Sequence, residues 1–155
     1  MPPLQQEKAQ EVFAFLQKQK GSFETFTIQP PLDNLGTSKD ETDILTMNTF
    51  AAGTEAVFAD GFSQSTNLLR AGDLIKFAGH SKVYMITADV DENGAGTTRG
   101  ILNISPPLVA SVANNESITV NKPSFTVYLE SDEIMYSTDA SGFYSISFDV
   151  REVIT

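Results

Sequence analysis

Short segments with a two-residue apolar period, each followed by a turn signal, make up most of this 155-residue chain. Side chains in a β-strand alternate between two faces, so this period is typical of strands rather than helices. Glycine and asparagine pairs such as Asp60-Gly61 and Asn114-Asn115 separate the segments. The pattern predicts strands at residues 23–28, 44–48, 55–59, 67–70, 73–78, 82–89, 100–105, 117–121, 124–130 and 143–152.

Two of these segments alternate clearly enough to predict which side chains face a core. In the segment 124–129, Phe125, Val127 and Leu129 share one face. In the segment 143–151 the apolar face carries Tyr144, Ile146, Phe148 and Val150. Each strand is therefore expected to have one buried and one solvated face, as in antiparallel sheets.

The one helix that the sequence predicts spans residues 4–19. Its apolar positions recur every three or four residues and form a single stripe of Ala9, Val12, Phe13 and Leu16. Gly21 follows as a helix stop. We expect the stripe to pack on the sheet of the same domain. Docking on a neighbouring subunit is the alternative.

Composition favours the same fold class. The 11 Phe and 4 Tyr residues suit pleated, half-buried strands. We therefore predict a mainly β fold, a small β-barrel or β-sandwich with one N-terminal α-helix, forming a single domain over residues 1–155. Residues 32–43 are polar and turn-rich and are predicted to be a long loop or an arm. Residues 108–113 are predicted to form one short helical turn.

The charge balance limits the kinds of partner. The formal net charge is −10 at pH 7, and acidic surfaces repel both nucleic-acid phosphates and anionic lipids. We expect no specific nucleic-acid binding and no membrane partner. No apolar run approaches the roughly 20 residues of a membrane span, and the first residues lack a signal-peptide pattern. The chain has no cysteine, which excludes disulfides and thiolate sites.

Groups suited to catalysis are few. The one histidine, His80, lies in the turn Gly79-His80-Ser81 between two predicted strands. We interpret it as a surface residue of a hairpin turn. A Ser-His-acid triad stays open from the residues alone, although no G-x-S-x-G nucleophile pattern is present. No cluster of ligands suited to zinc accompanies the histidine.

Residues 89–94 (DVDENG) match the first half of a calcium-binding loop, with oxygen donors at positions one, three and five and glycine at six. The twelfth position, which should be Glu, is Gly100. A hairpin connection explains the same residues, because Asp, Asn and Gly favour turns. Residues 94–100 (GAGTTRG) have the wrong glycine spacing for a phosphate-binding loop, and no helix is predicted to follow them.

Two carboxylate clusters remain, at residues 40–43 (DETD) and 130–133 (ESDE). Paired acids can hydrolyse glycosides when held about 5–10 Å apart, but the chain lacks the tryptophan of a usual sugar platform. We interpret both clusters as solvated loops. The sequence thus predicts no catalytic residue, no cofactor-binding residue, no cofactor and no metal site. The protein is expected not to be an enzyme, and an unrecognised enzyme is the alternative.

The middle of the chain carries a longer pattern. It runs through residues 68–80 (LLRAGDLIKFAGH) and 82–90 (KVYMITADV), a glycine-rich turn, and residues 102–108 (LNISPPL). This arrangement resembles minor structural proteins of bacteriophage tails, of the distal-tail and tail-tube kind. The resemblance spans residues 12–153 loosely and is strongest over residues 68–120. It is architectural, and no functional residue carries over.

The resemblance implies a small β-barrel or β-sandwich with one helix that assembles into a ring homo-oligomer, expected to be a hexamer. The other partners it implies are tail proteins such as tube, tape-measure or hub components. The location implied is the virion tail, after synthesis in the host cytoplasm. The loop 32–43 and the N-terminal segment are the expected inter-subunit arms, and unpaired strand edges could add neighbouring chains. An acidic ring lumen would let DNA pass without binding it. A baseplate or receptor- or glycan-contacting β module is the alternative.

Overall fold

The computed structural model describes residues 4–94, 98–131 and 133–154. These residues form one N-terminal helix and eleven strands, which confirms the prediction of a mainly β fold with one helix. Their contacts cluster into two compact units. Unit 1 comprises Met1–Ile28 and Thr126–Val153, and unit 2 comprises Gln29–Phe125 and Ile154–Thr155. Along the chain, unit 2 is thus an insertion between the two halves of unit 1.

The helix and strands have the following bounds. The helix α1 spans Gln6–Lys18 and is followed by a single 3-10 turn at Gly21–Phe23. The strands are β1 Thr25–Ile28, β2 Leu45–Thr46, β3 Ala56–Asp60, β4 Leu74–Phe77, β5 Val83–Ile86, β6 Gly100–Ser105, β7 Ile118–Thr119, β8 Phe125–Leu129, β9 Met135–Thr138, β10 Tyr144–Ser147 and β11 Val150–Glu152.

Unit 1 packs the helix on its own strands. Its strands form a three-stranded sheet in the order β1-β8-β11 and a two-stranded sheet of β9 and β10. The predicted helix stripe buries Ala9 and Leu16 in one cluster with Leu129 and Ile146. The stripe therefore packs within its own unit, as expected, and the alternation predicted for the two strand segments is present.

Unit 2 is a nearly closed six-stranded sheet. Its strand order is β2-β3-β6-β5-β4-β7, and the two outer strands meet. The Ile118 amide donates to the Ile44 carbonyl at 2.9 Å, and the Thr46 amide donates to the Glu116 carbonyl at 3.0 Å. One apolar face of the sheet encloses a core, in which Tyr84, Phe62 and Phe77 are the largest fully buried residues. Most backbone N–H and C=O groups at the strand edges of unit 2 thus find hydrogen-bond partners within the unit.

The predicted long loop at 32–43 is a loop in the structure, and two buried side chains attach it to the barrel. Asp73 accepts three backbone N–H groups, from Leu35 at 2.7 Å, Gly36 at 3.0 Å and Arg70 at 2.9 Å. Asn34 behaves like a short piece of strand. Its amide donates to the Leu74 and Val120 carbonyls and accepts from the Leu74 amide, each at 2.8 Å.

Gly36 shows how closely this loop approaches the barrel. A Cβ atom at this position would lie 2.3 Å from the Leu68 carbonyl oxygen and 2.6 Å from the Leu69 Cα atom. Both neighbours are backbone atoms, which cannot move aside as the tip of a side chain can. Only glycine fits where one backbone approaches another so closely.

Several predicted elements were wrong. Residues 67–70 are not a strand but a loop with one isolated bridge, Leu69 to Val90, because Asn67 takes a left-handed backbone conformation with φ of 51°. The segment 143–152 is two strands, β10 and β11, which belong to different sheets. Residues 108–113 form no helical turn. Val112 instead pairs with Phe50 through two backbone hydrogen bonds. The strand β9 was not predicted at all.

The single-domain prediction remains a prediction that can be tested by excision. We expect residues 29–125 to fold alone, because the barrel core and the hydrogen bonds that close it lie within this segment. Circular dichroism should show β structure that melts in one cooperative transition. A fragment of residues 29–99, which lacks β6 and β7, is the control and should not fold. A non-cooperative 29–125 fragment would support one indivisible domain.

Asp73→Asn should destabilise the protein by about 1–3 kcal/mol, because an amide group leaves at least one of the three N–H donors facing another donor in a buried position. The measurement is the free energy of unfolding in urea. Asp43→Asn is the matched control, because Asp43 is an exposed carboxylate without a hydrogen-bond partner among the described residues. Equal stability of the two variants would show that the contacts of Asp73 do not hold the loop.

Candidate functional site

His80 is not the surface residue that the sequence predicted. It does lie in a turn between β4 and β5, but only 4% of it is exposed. Its Nδ1 atom lies 2.7 Å from the Tyr84 hydroxyl, and its Nε2 atom lies 3.4 Å from the Ser111 carbonyl oxygen. The ring also packs beside Phe77. His80 is therefore part of the barrel core.

The partners of His80 indicate a structural role. The Ser111 carbonyl can only accept, so in this contact Nε2 is the donor. The Tyr84 hydroxyl that bonds to Nδ1 also accepts the Val109 N–H at 3.2 Å. No carboxylate or serine hydroxyl is hydrogen-bonded to this histidine among the described residues. These three hydrogen bonds connect the turn at His80 to Val109 and Ser111, which follow β6.

The acidic residues of the calcium-like loop bind backbone groups of their own barrel. Asp89 accepts the Ala71 N–H at 3.0 Å, and Asp91 accepts the Asn67 N–H at 2.7 Å. Glu92 accepts the Thr98 N–H at 2.9 Å. The carboxylates are thus directed to different backbone positions rather than to one common point. This arrangement is typical of turn and loop stabilisation rather than of a cation shell.

The glycine-rich segment 94–100 is placed only at its ends, because residues 95–97 lie outside the described residues. Gly94 has a φ of +99°, as turn glycines often do. Gly100 begins β6 inside the barrel, where a Cβ atom would lie 2.8 Å from the Val90 side chain. Both described glycines therefore have structural reasons for their positions.

The two carboxylate clusters are also directed to other partners. Glu41 accepts the N–H and the hydroxyl of Ser63, at 3.1 and 2.5 Å. Glu130 forms an ion pair with Arg151 on the surface, and Asp132 lies outside the described residues. Within residues 4–94, 98–131 and 133–154, no group of three or more histidine or acidic side chains is arranged to hold a metal ion.

The open strand edges of unit 1 are the features best suited to binding another chain. Strand β9 pairs on one side with β10, and no described strand pairs with its other side. All four of its side chains are exposed. Strands β1 and β11 end the three-stranded sheet, and among the described strands each pairs with β8. The edges of β1 and β9 are each four residues long, and an open edge is a template for adding a strand.

The hydrogen-bond pattern shows which groups of β9 face outward. Tyr144 of β10 exchanges two backbone bonds of 2.8 Å with Leu4, on the side away from β9. Since antiparallel partners alternate between bonded and non-bonded pairs, Ser137 and Met135 are the residues that bond to β10. The N–H and C=O groups of Tyr136 and Thr138 therefore point to the open edge. No hydrogen bond of these four groups to another described residue is present, so a further strand could pair with them.

Exposed aromatic residues lie next to both edges. Phe23, two residues before the start of β1, is 83% exposed, and Phe15 packs edge-on against Phe26 of β1 with ring centroids 5.4 Å apart. Met135 and Tyr136, in β9, are each more than 60% exposed. Aromatic and methionine side chains are enriched at protein interfaces.

Sequence reasoning missed the β9 edge because no residue of the strand is buried. The period-two signal depends on apolar side chains that face a core, and β9 has none. One indirect signal was present. Ser141-Gly142 marks a turn, and Gly142 has a φ of +78° in the structure. Since a hairpin turn needs a strand on either side, the turn indicated a partner for β10.

Tyr84→Phe tests the histidine network. Removing the hydroxyl leaves the Nδ1 atom of His80 and the Val109 N–H without this partner inside the barrel, which should cost about 1–3 kcal/mol. Urea unfolding measures the loss. Tyr128→Phe is the control, because the half-buried Tyr128 hydroxyl has no hydrogen-bond partner among the described residues. A neutral Tyr84→Phe would contradict the structural role of the network.

No helix of the described residues is long and apolar enough to cross a membrane.

Comparison with known proteins identifies the family. A search of curated proteins finds no match to this sequence. A family model described as "Distal tail protein pb9, B domain" matches residues 38–122, which is more than half of the chain. The matched stretch lies within unit 2 and contains the pattern of residues 68–108. The chain therefore belongs to the distal tail protein pb9 B-domain family and is a structural protein of the bacteriophage tail.

Proposed function

We propose that this protein is a non-enzymatic subunit that assembles into a ring at the distal end of the tail or along its tube. The observation that supports this most strongly is the contrast between the two units. Unit 2 nearly closes its sheet on itself, whereas in unit 1 no described strand pairs with the outer sides of β1 and β9. A soluble monomer would normally protect such edges with prolines, charges or a covering segment. The strand β9, with the sequence MYST, has none of these residues.

The edges of β1 and β9 differ from each other, which favours a ring. Contact between β9 of one copy and β1 of the next would be heterologous, and heterologous contacts form a ring when the rotation between copies closes. Equal lengths of four residues would let the edges pair along their whole extent. The exposed Phe23 and Met135 beside the edges would add buried apolar area.

Other features of the proposal rest on the family rather than on contacts. Six copies per ring is the number implied by the resemblance to tail proteins. Tube, tape-measure or hub components are the proposed neighbours, and assembly follows synthesis in the host cytoplasm. The net charge of −10 supports a lumen through which DNA passes without binding. The loop 32–43 is a weaker candidate for an arm, because Asp73 and Asn34 attach it to its own barrel.

Thr138→Pro tests the edge contact. Proline lacks the N–H group that Thr138 directs outward, while the hydrogen bonds of Ser137 and Met135 to β10 are kept. We expect native mass spectrometry to find rings of the wild-type protein and monomers of the variant, with similar thermal melting of the fold.

Thr138→Val is the matched control, because it keeps the N–H group and the branched shape and removes only the hydroxyl. It should still form rings. Rings of Thr138→Pro would show that β9 is not the contact edge. A wild-type protein that stays monomeric at high concentration would contradict ring assembly itself.

A further inference from the structure

A groove within unit 1 lies between the start of helix α1 and the hairpin of β9 and β10. It has a volume of about 320 Å³, which lies in the range of small-ligand sites. The helix contributes one face, spaced at three and four residues, and the hairpin contributes two tyrosines. The lining residues are Gln6, Ala9, Gln10, Phe13, Tyr136 and Tyr144.

The groove combines a small buried residue with an aromatic pair. Ala9 lies on the buried face of the helix and is only 4% exposed. The Phe13 and Tyr136 rings meet edge-on, with centroids 5.3 Å apart and an interplanar angle of 84°. This contact orients the Tyr136 ring, yet the residue remains 63% exposed. An aromatic ring of the groove lining is thus held in place and left exposed.

The chemistry of the lining is neutral. The protein has a net charge of −10, but none of the six lining residues is charged. The lining contains two carboxamides and two phenol hydroxyls together with the apolar side chains of Ala9 and Phe13. Among the residues that the structure describes, none of these four polar groups has a hydrogen-bond partner. Apolar pockets with a few polar groups are typical of ligand sites.

We propose that this groove binds a neutral saccharide. A sugar ring has an apolar C–H face, which can lie on the Tyr136 ring, and a rim of hydroxyl groups. Carboxamides suit that rim because each can donate and accept hydrogen bonds. The absence of charge from the lining disfavours phosphate, carboxylate or cationic ligands, whose charge would have no partner there. The site uses the Tyr136 side chain, whereas the proposed ring contact uses the backbone edge of β9.

The test uses two neutral probes, maltotriose and N,N′,N″-triacetylchitotriose, each with the full-length protein. Saturation-transfer NMR should show transfer from the protein to the sugar ring protons of at least one probe. Tyr136→Ala, Gln6→Ala and Gln10→Ala should each weaken binding about tenfold or more, which is about 1.4 kcal/mol. The two glutamines occupy exposed helix positions, where alanine favours the helix, so these two variants should remain folded.

Phe23→Ala and Gln17→Ala are the matched controls, because they remove an exposed aromatic ring and an exposed helical glutamine that do not line the groove. Both should bind like the wild type. The Thr138→Pro variant should bind as well, which separates this site from ring assembly. No transfer to either probe, or transfer that survives Tyr136→Ala and Gln10→Ala, would overturn the proposal. Self-association lost in Tyr136→Ala without sugar binding would overturn it as well.

Discussion

Backbone N–H and C=O groups at the edge of a sheet need partners, and the structure depends on how each unit supplies them. Unit 2 brings its first and last strands together through the segments around Ile44 and Ile118. Unit 1 is interrupted by that insertion, and within the described part of the chain no further strand pairs with β1 or β9 at the ends of its short sheets. A two-stranded sheet has little stability alone. The hairpin of β9 and β10 relies on the helix, which covers its inner face through Phe13.

Side chains act as additional strand segments in unit 2. Asn34 bonds to the Leu74 amide and carbonyl as a neighbouring strand would, and Asp73 binds three amides of two loops. The Gly-Asp pair in the pattern of residues 68–80 thus has a physical reason. Gly72 has a φ of +100° at the turn, and the next residue holds the loop 32–43. The pattern that resembles tail proteins therefore includes the residues that attach the loop 32–43 to the barrel.

The sequence predicted those elements whose residues alternate against a core. Strand β6 has the predicted bounds, and the alternation of residues 124–129 matches the burial of Val127 and Leu129. The failures have a common cause. Burial by tertiary contacts is not visible in a local pattern, so His80 was assigned to the surface. Leu68 and Leu69 are fully buried in a loop, so their apolar side chains resembled those of a strand. All four residues of β9 are exposed, so no apolar pattern indicated this strand.

The same cause explains why some acidic segments resembled metal-binding or catalytic sites in the sequence. Asp, Glu and Asn residues that could bind a cation or act as acids are the same types that accept N–H groups of turns. In this protein Asp89, Asp91 and Glu116 each bind backbone amides of their own barrel. A barrel with short strands has many loop amides that no strand pairs, and carboxylates satisfy them. The acidic composition of unit 2 therefore reflects, in part, how many of its amides lie outside the sheet. Its clusters of acids are consequently a poor guide to function, whereas the uncharged groove and open edges of unit 1 have no such structural explanation.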